Sequence, residues 1–522
     1  MGLVGCAQQV GDIDRTQPNK VKKEVFNDGA HWYMRATVVD TAGYSAASFV
    51  GLQGDMFRVR WEIEEGYLMA YATHEDIPGL DTHGYDPETD GAFNGTPMAA
   101  FSVRQHFDVQ RSYSSSTGEQ SNVISENGSD RNWYDRDYMR VDWSRNAAPA
   151  LDWFDPALEL QKVSQVSIAP QDSGIDPEDI TWRFEYNDAG EAVYLDVVNT
   201  YILEPNWYGC VISFGINYGS WCGPQTVKVR TSFMKITDEV EADHEPKEYS
   251  DNQMEDFGFF RTERCYYDRN YGCRETTTRR LANVWPIWAD NYDAEGNPRP
   301  KSERTVKPFA YYLSADFPED LIPESQELID EWNEIFVDAV KLHKPDFDGT
   351  VFYLCGNPGT ADEPGYAAGV CKDPGVVKGL GDLRYSQLVW IDHVDPNSPL
   401  GYGPSSADPL TGALINANAN IYGSAIDTYT QYVIDIVQLI TGRIDPEEYG
   451  LGDYYQQELA NYDYFAENGL FADQKKMDAS RAASIANVKE RIAHKDGRVF
   501  ELMESMKGMN KAQRLDLLRA DF

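Results

Sequence analysis

Long apolar runs are missing from this chain, and so is any excess of positive charge. No hydrophobic stretch approaches the ~20 residues that a membrane helix needs. Lys plus Arg number 46 against 85 Asp plus Glu, a net charge of −39. A surface that acidic repels phosphate backbones, so nucleic acid is set aside as a partner. Histidine is scarce, with eight in 522 residues. His74-Glu75 begins an HExxH pattern, but Pro78 stands where the second His should be. GxSxG, Walker A and GxGxxG patterns are absent, and no Cys and His residues have zinc-finger spacing. The sequence therefore marks no catalytic residue and no metal ligand. With 85 acids, carboxylate pairs are too common to single out a glycosidase. His393 closes an expected strand, but without a partner it reads as a polar strand end.

What is present is enough for a folded body. Hydrophobic residues make up 42% and charged residues 25%, which excludes wholesale disorder. The length suggests about three domains. Aromatics reach 13%, which suits β-structure and recognition surfaces.

Six of the seven cysteines form close pairs along the chain: Cys210 with Cys222, Cys265 with Cys273, and Cys355 with Cys371. None has CxxC spacing, so three local disulfides and an oxidising compartment are expected. Cys6 is left over, in Leu3-Val4-Gly5-Cys6. That tetrapeptide resembles the lipobox of bacterial lipoproteins, in which the Cys becomes the lipidated first residue. Only five residues precede it, too few for a signal peptide, so a start placed too far downstream is implied. Cys6 is the expected lipidation site, with residues 1–23 as lipobox and tether.

Residues 24–237 read as a β-rich domain, a sandwich or irregular barrel. Residues 57–64 alternate apolar and charged side chains, so one buried and one wet face are expected. Residues 67–73 supply the partner strand. Residues 181–186 and 192–201 flank an Asn187-Asp188-Ala189-Gly190 turn, which predicts a second hairpin. Residues 226–236 form another strand, and 113–131 read as loop. Residues 238–307 read as an acidic linker and a disulfide-pinned bridge, with a plain turn at 290–300.

From 308 to 445 the period changes to that of an α/β subdomain. Residues 309–313 are a strand, and 317–343 a helix with Leu321, Leu328, Trp332, Ile335 and Ala339 in one apolar stripe that Ile322, Ile329 and Phe336 widen. Strands follow at 351–354 and 383–391. After the Pro/Gly-rich turn 403–412, Ala413, Ile415, Ala417 and Ala419 alternate with Asn416, Asn418 and Asn420. Small residues inward and amides outward predict a sheet edge, wet or peptide-binding. Residues 425–441 and the segment 446–522 are expected to be helical. The fold class is α+β.

The stretch 309–422, about a fifth of the chain, resembles the upper subdomain of metzincin-type zinc metalloproteases. Phe309-Ala-Tyr-Tyr-Leu-Ser314, Phe317-Pro318 and Glu331-Trp332-Asn333 match its opening strand and long helix. Leu383-Arg-Tyr-Ser386 with Trp390 matches the third strand. Gly403-Pro404-Ser405, Asp408-Pro409 and Thr411-Gly412 resemble the GPSxxDPxTG turn of large bacterial secreted proteins with this domain. The resemblance implies a substrate peptide lying antiparallel to an edge strand, here 413–422. It also implies a zinc helix, HExxHxxGxxH, which is absent through Phe522. Zinc is thus expected only if the chain continues beyond 522, and enzymatic activity is left open. The implied protein is a lipid-anchored lipoprotein of the bacterial outer membrane or cell surface, truncated or catalytically inactive, with a peptide or protein as substrate. The alternative is a non-catalytic envelope protein binding a protein or glycan through its aromatic β-rich domain.

Overall fold

The structure, a computed structural model, describes residues 11–41, 48–73, 97–113, 116–148, 161–166, 182–204, 225–237, 243–265, 278–392 and 399–444. The chain divides into two compact units, Met1–Tyr429 and Thr430–Phe522. The boundaries expected near 237 and 308 both fall inside the first unit. The fold is mixed α+β and strand-rich, and its larger sheet curls into a half-barrel.

Twelve strands build that sheet. They are β1 (Ile13–Asp14), β2 (Val21–Lys22), β3 (His31–Thr41), β4 (Phe57–Ile63), β5 (Tyr67–Ala72), β6 (Pro97–Tyr113), β7 (Gln120–Asn127), β8 (Tyr138–Asn146), β9 (Gln161–Val166), β10 (Trp182–Tyr186), β11 (Ala192–Glu204) and β12 (Gln225–Lys235). The main path runs β1-β7-β6-β5-β4-β3-β12-β11-β10. A short helix, α1 (Glu24–Asn27), places Phe26 against Trp61 at 4.9 Å between rings. The core inside the curl gathers Trp32, Trp61, Phe101, Trp143 and Phe233. Burying side chains of this size stabilises by about 1.5–3 kcal/mol each.

Both expected hairpins form. In one, Val59 faces Ala72 and Ile63 faces Leu68. In the other, the Asn187 side chain accepts from Glu191 N, and Gly190 takes a positive φ to close the turn. Two local expectations change. Strand β7 runs through a stretch expected to be loop. On β4, Val59 and Trp61 face the core as the alternation predicts, but Arg58 on the other face is also buried. At Arg58 that face meets a second layer, whereas Arg60 and Glu62 are partly exposed and Glu64 is exposed as expected.

Between the sheets lie the helix α2 (Asp251–Phe257), with a Ser250/Gln253 capping box, and the hairpins β13 (Arg261–Cys265)–β14 (Thr278–Ala282) and β15 (Trp288–Ala289)–β16 (Thr305–Val306). The sequence placed no helix at α2; its cap satisfies the first-turn N–H groups. The 290–300 segment is a turn, in which Asp293 accepts from Glu295 N and Asn297 N.

The second sheet contains β17 (Phe309–Leu313), β18 (Phe352–Cys355), β19 (Ser386–Ile391), β20 (Gly401–Tyr402), β21 (Ser405–Ala407) and β22 (Leu414–Tyr422). Its order is β18-β17-β19-β22-β20, with β21 also on β22. The first four strands are parallel, whereas β20 and β21 run antiparallel to β22. Helix α3 (Ile322–Lys341) follows β17 and packs Phe336 on Phe309 and Phe352. Its inward face carries Ile329 and Val340. Of the expected stripe, Ile329 and Phe336 turn inward, whereas Leu328, Trp332 and Ile335 are 46%, 50% and 58% exposed. The aromatic floor of β17 and β18 selects the face that presents Phe336. A four-residue helix, α4 (Pro364–Ala367), precedes Cys371, and Cys355 and Cys371 form a disulfide as expected.

Helix α5 (Gly423–Ile440) continues from β22 and crosses the unit boundary. In the second unit its Asp435 is buried, as is Ile444 beyond its end. Among the described residues no helix is long and apolar enough to cross a membrane.

Candidate functional site: a buried polar seam at the parallel sheet

Strand β22 was expected to be a sheet edge with its amides outward. It is an interior strand. Gln387 to Ile391 of β19 pair with Asn418 to Tyr422 on one side. Gly401, Tyr402 and Ser405 to Ala407 pair with it on the other. Asn416, Asn418 and Asn420 are all buried. Ala413 and Ala417 are buried too, whereas Ile415 and Ala419 are partly buried. The physical reason is the half-barrel sheet, which covers this face. Asn420 Nδ2 donates to Gly51 O, and Tyr422 Oη donates to Val50 O at 2.7 Å. Gly51 has a positive φ, and a Cβ there would lie 2.5 Å from Asn420 Nδ2.

The turn motif that feeds β22 is held by charges from the other sheet. Arg58 Nε and Nη2 donate to the two Asp408 oxygens at 3.1 and 2.7 Å. Asp408 also accepts from Leu410 N at 2.8 Å and from Thr411 Oγ1 at 3.1 Å. Gly412 takes φ +75°, where a Cβ would meet Ala282 O at 2.6 Å. Pro404 O accepts from Asn418 N. Pro404, Asp408, Thr411 and Gly412 of that motif thus each have a structural role.

Arg35 lies beside this turn and is fully buried. Its Nη1 donates to Ser406 Oγ at 2.9 Å and to Asn416 Oδ1. Its Nε and Nη2 have no hydrogen-bond partner among the described residues. Burial lowers the Arg35 guanidinium to about 10, opposed by Tyr194, Asp382 and Tyr402. Asn416 passes the contact on by donating to Tyr385 O.

A second charge cluster joins the sheets further along. The Asp382 carboxylate, fully buried, receives Arg183 and Arg384, each at 2.8 Å. Asp196 receives Arg183 at 3.0 Å and Arg230 at 3.2 Å. Burial alone would raise Asp382, but Arg384, Arg183 and Arg230 together hold it below the ordinary carboxylate value. Asp382 and Arg384 are neighbours in the loop before β19, whereas Arg183, Asp196 and Arg230 come from β10, β11 and β12, and nothing in the local sequence pattern joins the two groups.

One edge of the second sheet is β20 and β21, which pair with β22 alone among the described residues; β18, which pairs with β17 alone, is the other. Gly401, Gly403 and Ser405 are exposed along the β20 and β21 edge.

Helix α5 stands directly after β22 and contains no histidine. Among the described residues no group of three or more His, Cys, Asp or Glu side chains could hold a metal. Cys6, Cys210, Cys222, Cys273, His393 and the segment 446–522 lie outside the described residues, as does the Cys265 side chain.

The half-barrel sheet carries one cleft of about 630 Å³, lined by Glu65, Asp130, Trp133, Asp135 and Arg136 among others. It lies outside the seam.

No known family, no curated protein and no solved structure matches this chain.

Proposed function

We propose that the chain is a cell-envelope lipoprotein built on a metzincin-like scaffold without the zinc helix, and that it holds an extended peptide along the free side of β20 and β21. One observation carries this: four parallel strands and a long helix end in an antiparallel strand pair that lacks an outer neighbour among the described residues. An extended peptide gains main-chain hydrogen bonds by adding to such an edge. The seam behind it fixes the edge in place, because Arg35 holds Ser406 and Asn418 holds Pro404. The resemblance of 309–422 to the protease subdomain points to peptide as the ligand. The Val4-Gly5-Cys6 start points to lipid anchorage at Cys6.

The test is amide hydrogen exchange of the full chain with and without a pool of unstructured dodecapeptides. Slower exchange confined to 401–407, with no hydrolysis, is the expected result. Unchanged exchange in that segment, or hydrolysis blocked by a chelator, would overturn the proposal. Metabolic labelling with palmitate tests the anchor: label is expected on the native chain and lost in Cys6→Ser.

A further inference from the structure

We propose that the cleft between the 64–66 turn and the 128–137 loop is a recognition site for a neutral saccharide. The inference stands apart from the peptide edge, because the cleft belongs wholly to the half-barrel sheet.

The cleft is open to solvent and its lining is mostly polar, which suits a hydroxyl-rich ligand bound at the surface. Its loop is locked before any ligand arrives. Asn127 Oδ1 accepts from Ser129 N and Asp130 N, which fixes the loop's entry. Arg131 is clamped by Asp108, at 2.8 Å from Nε, and by Asp137 at 2.9 Å. Arg136 is held by two carbonyls, Arg131 O at 2.8 Å and His106 O at 3.1 Å. Trp133 packs on the His106 ring at 5.1 Å, and Lys23 Nζ lies 5.4 Å from the indole. A site whose rotamers are already fixed loses little entropy on binding.

The lining chooses the ligand. With Asp108 and Asp137 on Arg131 and Lys23 beside the indole counted, Glu65, Asp130 and Asp135 bring the carboxylates to five against three cations, so the cleft mixes both signs at a balance of −2. An anion would meet those carboxylates within a chain of net charge −39. A cation would meet two guanidinium groups. The Glu65 and Asp135 carboxylates have no side-chain partner among the described residues and can accept, while the remaining N–H groups of Arg136 can donate. Donors and acceptors side by side suit hydroxyl groups, which are both. The Trp133 indole supplies an apolar surface for the C–H face of a sugar ring. A pyranose carries that face and that ring of hydroxyls in one molecule.

Saturation-transfer NMR on the full chain tests this, with cellobiose, maltose and diacetylchitobiose as neutral probes. A heparin disaccharide and trilysine serve as charged probes. Transfer to at least one neutral disaccharide at about 5 mM is expected. It should vanish in Trp133→Ala. Because Trp133 also packs on His106, the exposed pair Glu65→Gln/Asp135→Asn provides a second variant that keeps the fold, as circular dichroism would verify. That variant should bind about tenfold more weakly, the loss of charge-assisted hydrogen bonds. Transfer to no neutral probe, transfer to a charged probe alone, or equal binding by wild type and Glu65→Gln/Asp135→Asn would overturn the proposal.

Discussion

Arg58 and Asp408, 350 positions apart in sequence, form a two-pronged ion pair sealed from water, with side chains 5% and 3% exposed. The pair joins the half-barrel sheet to the turn that launches β22. It also explains the motif around it. Asp408 spends its remaining acceptor capacity on Leu410 N and Thr411 Oγ1, so one carboxylate shapes the turn and anchors it. The residues most suggestive of a secreted protease are in this chain the rivets between two sheets.

Removing one partner should be far worse than removing both. Arg58→Met leaves the Asp408 carboxylate buried without its cation, and a loss of about 3–5 kcal/mol is expected in urea unfolding. The double change Arg58→Met/Asp408→Leu should recover part of that loss, because no charge is then stranded. A double change as damaging as the sum of the single changes would show that the two residues do not act as a pair.

Arg35 should behave in the opposite way. It is buried like Arg58, but its hydrogen-bond partners are Ser406 and Asn416, and no carboxylate bonds to it among the described residues. Its Nε and Nη2 remain unsatisfied there. Arg35→Met removes a desolvated charge together with those two orphaned groups. The expected change in stability is at most about 1 kcal/mol, and a gain is compatible with the same physics. A loss as large as that of Arg58→Met would contradict this account of the seam.

The local elements were legible because their signals are local. Alternation at 57–63, the turn at Asn187 to Gly190 and the 355–371 cysteine spacing each needed only neighbours in sequence. What failed was the assignment of faces. The Asn416, Asn418 and Asn420 stripe looked wet, since amides ordinarily face solvent. Nothing nearby in sequence reveals that Val50 and Gly51 cover it. Helix α3 was read only in part: its expected stripe was too wide, and the aromatic floor at Phe309 and Phe352 takes the side of Ile329 and Phe336 and leaves Leu328, Trp332 and Ile335 outside. Strand β3 went unread because both of its faces are buried, so it shows no polar alternation. The candidate site was legible only as a motif, not as an interface.

The Asp382 cluster predicts an acid limb of stability. Burial disfavours the Asp382 carboxylate, but Arg384, Arg183 and Arg230 outweigh that and lower its value in the folded chain. In the unfolded chain an Asp titrates near 3.9. Between the two values the unfolded state binds more protons, so stability rises with pH there. The contribution is complete above the unfolded value and is lost as pH falls through the folded one. Asp382→Asn should therefore be less stable at neutral pH, with a shallower fall in stability between about pH 5 and pH 2. Parallel pH profiles for the two proteins would rule out Asp382 as the source of the acid limb.

The Cys355–Cys371 bridge is the last and most direct test. Both cysteines are buried, and they close a 16-residue separation that runs from the end of β18 past α4. Within that loop Tyr366 donates to Gly356 O, and Lys378 Nζ donates to Tyr366 Oη at 3.0 Å. The Lys378 ammonium also lies between 5.3 and 5.7 Å from the Tyr312, Tyr366 and Tyr385 rings. The bridge therefore holds the backbone that positions this aromatic cluster, next to the strand β19 that pairs with β22. Peptide mapping without reductant should recover 355 joined to 371. A loop of this length contributes about 3 kcal/mol through the unfolded chain, so Cys355→Ser/Cys371→Ser should lose that much. Reduction should cost the wild type at least as much as Cys355→Ser/Cys371→Ser costs without reductant, because the reductant also opens any bridge at 210–222 or 265–273. If reduction leaves the wild type unchanged, the bridge contributes nothing measurable. Lys378 and its three tyrosines would then have to hold the loop alone.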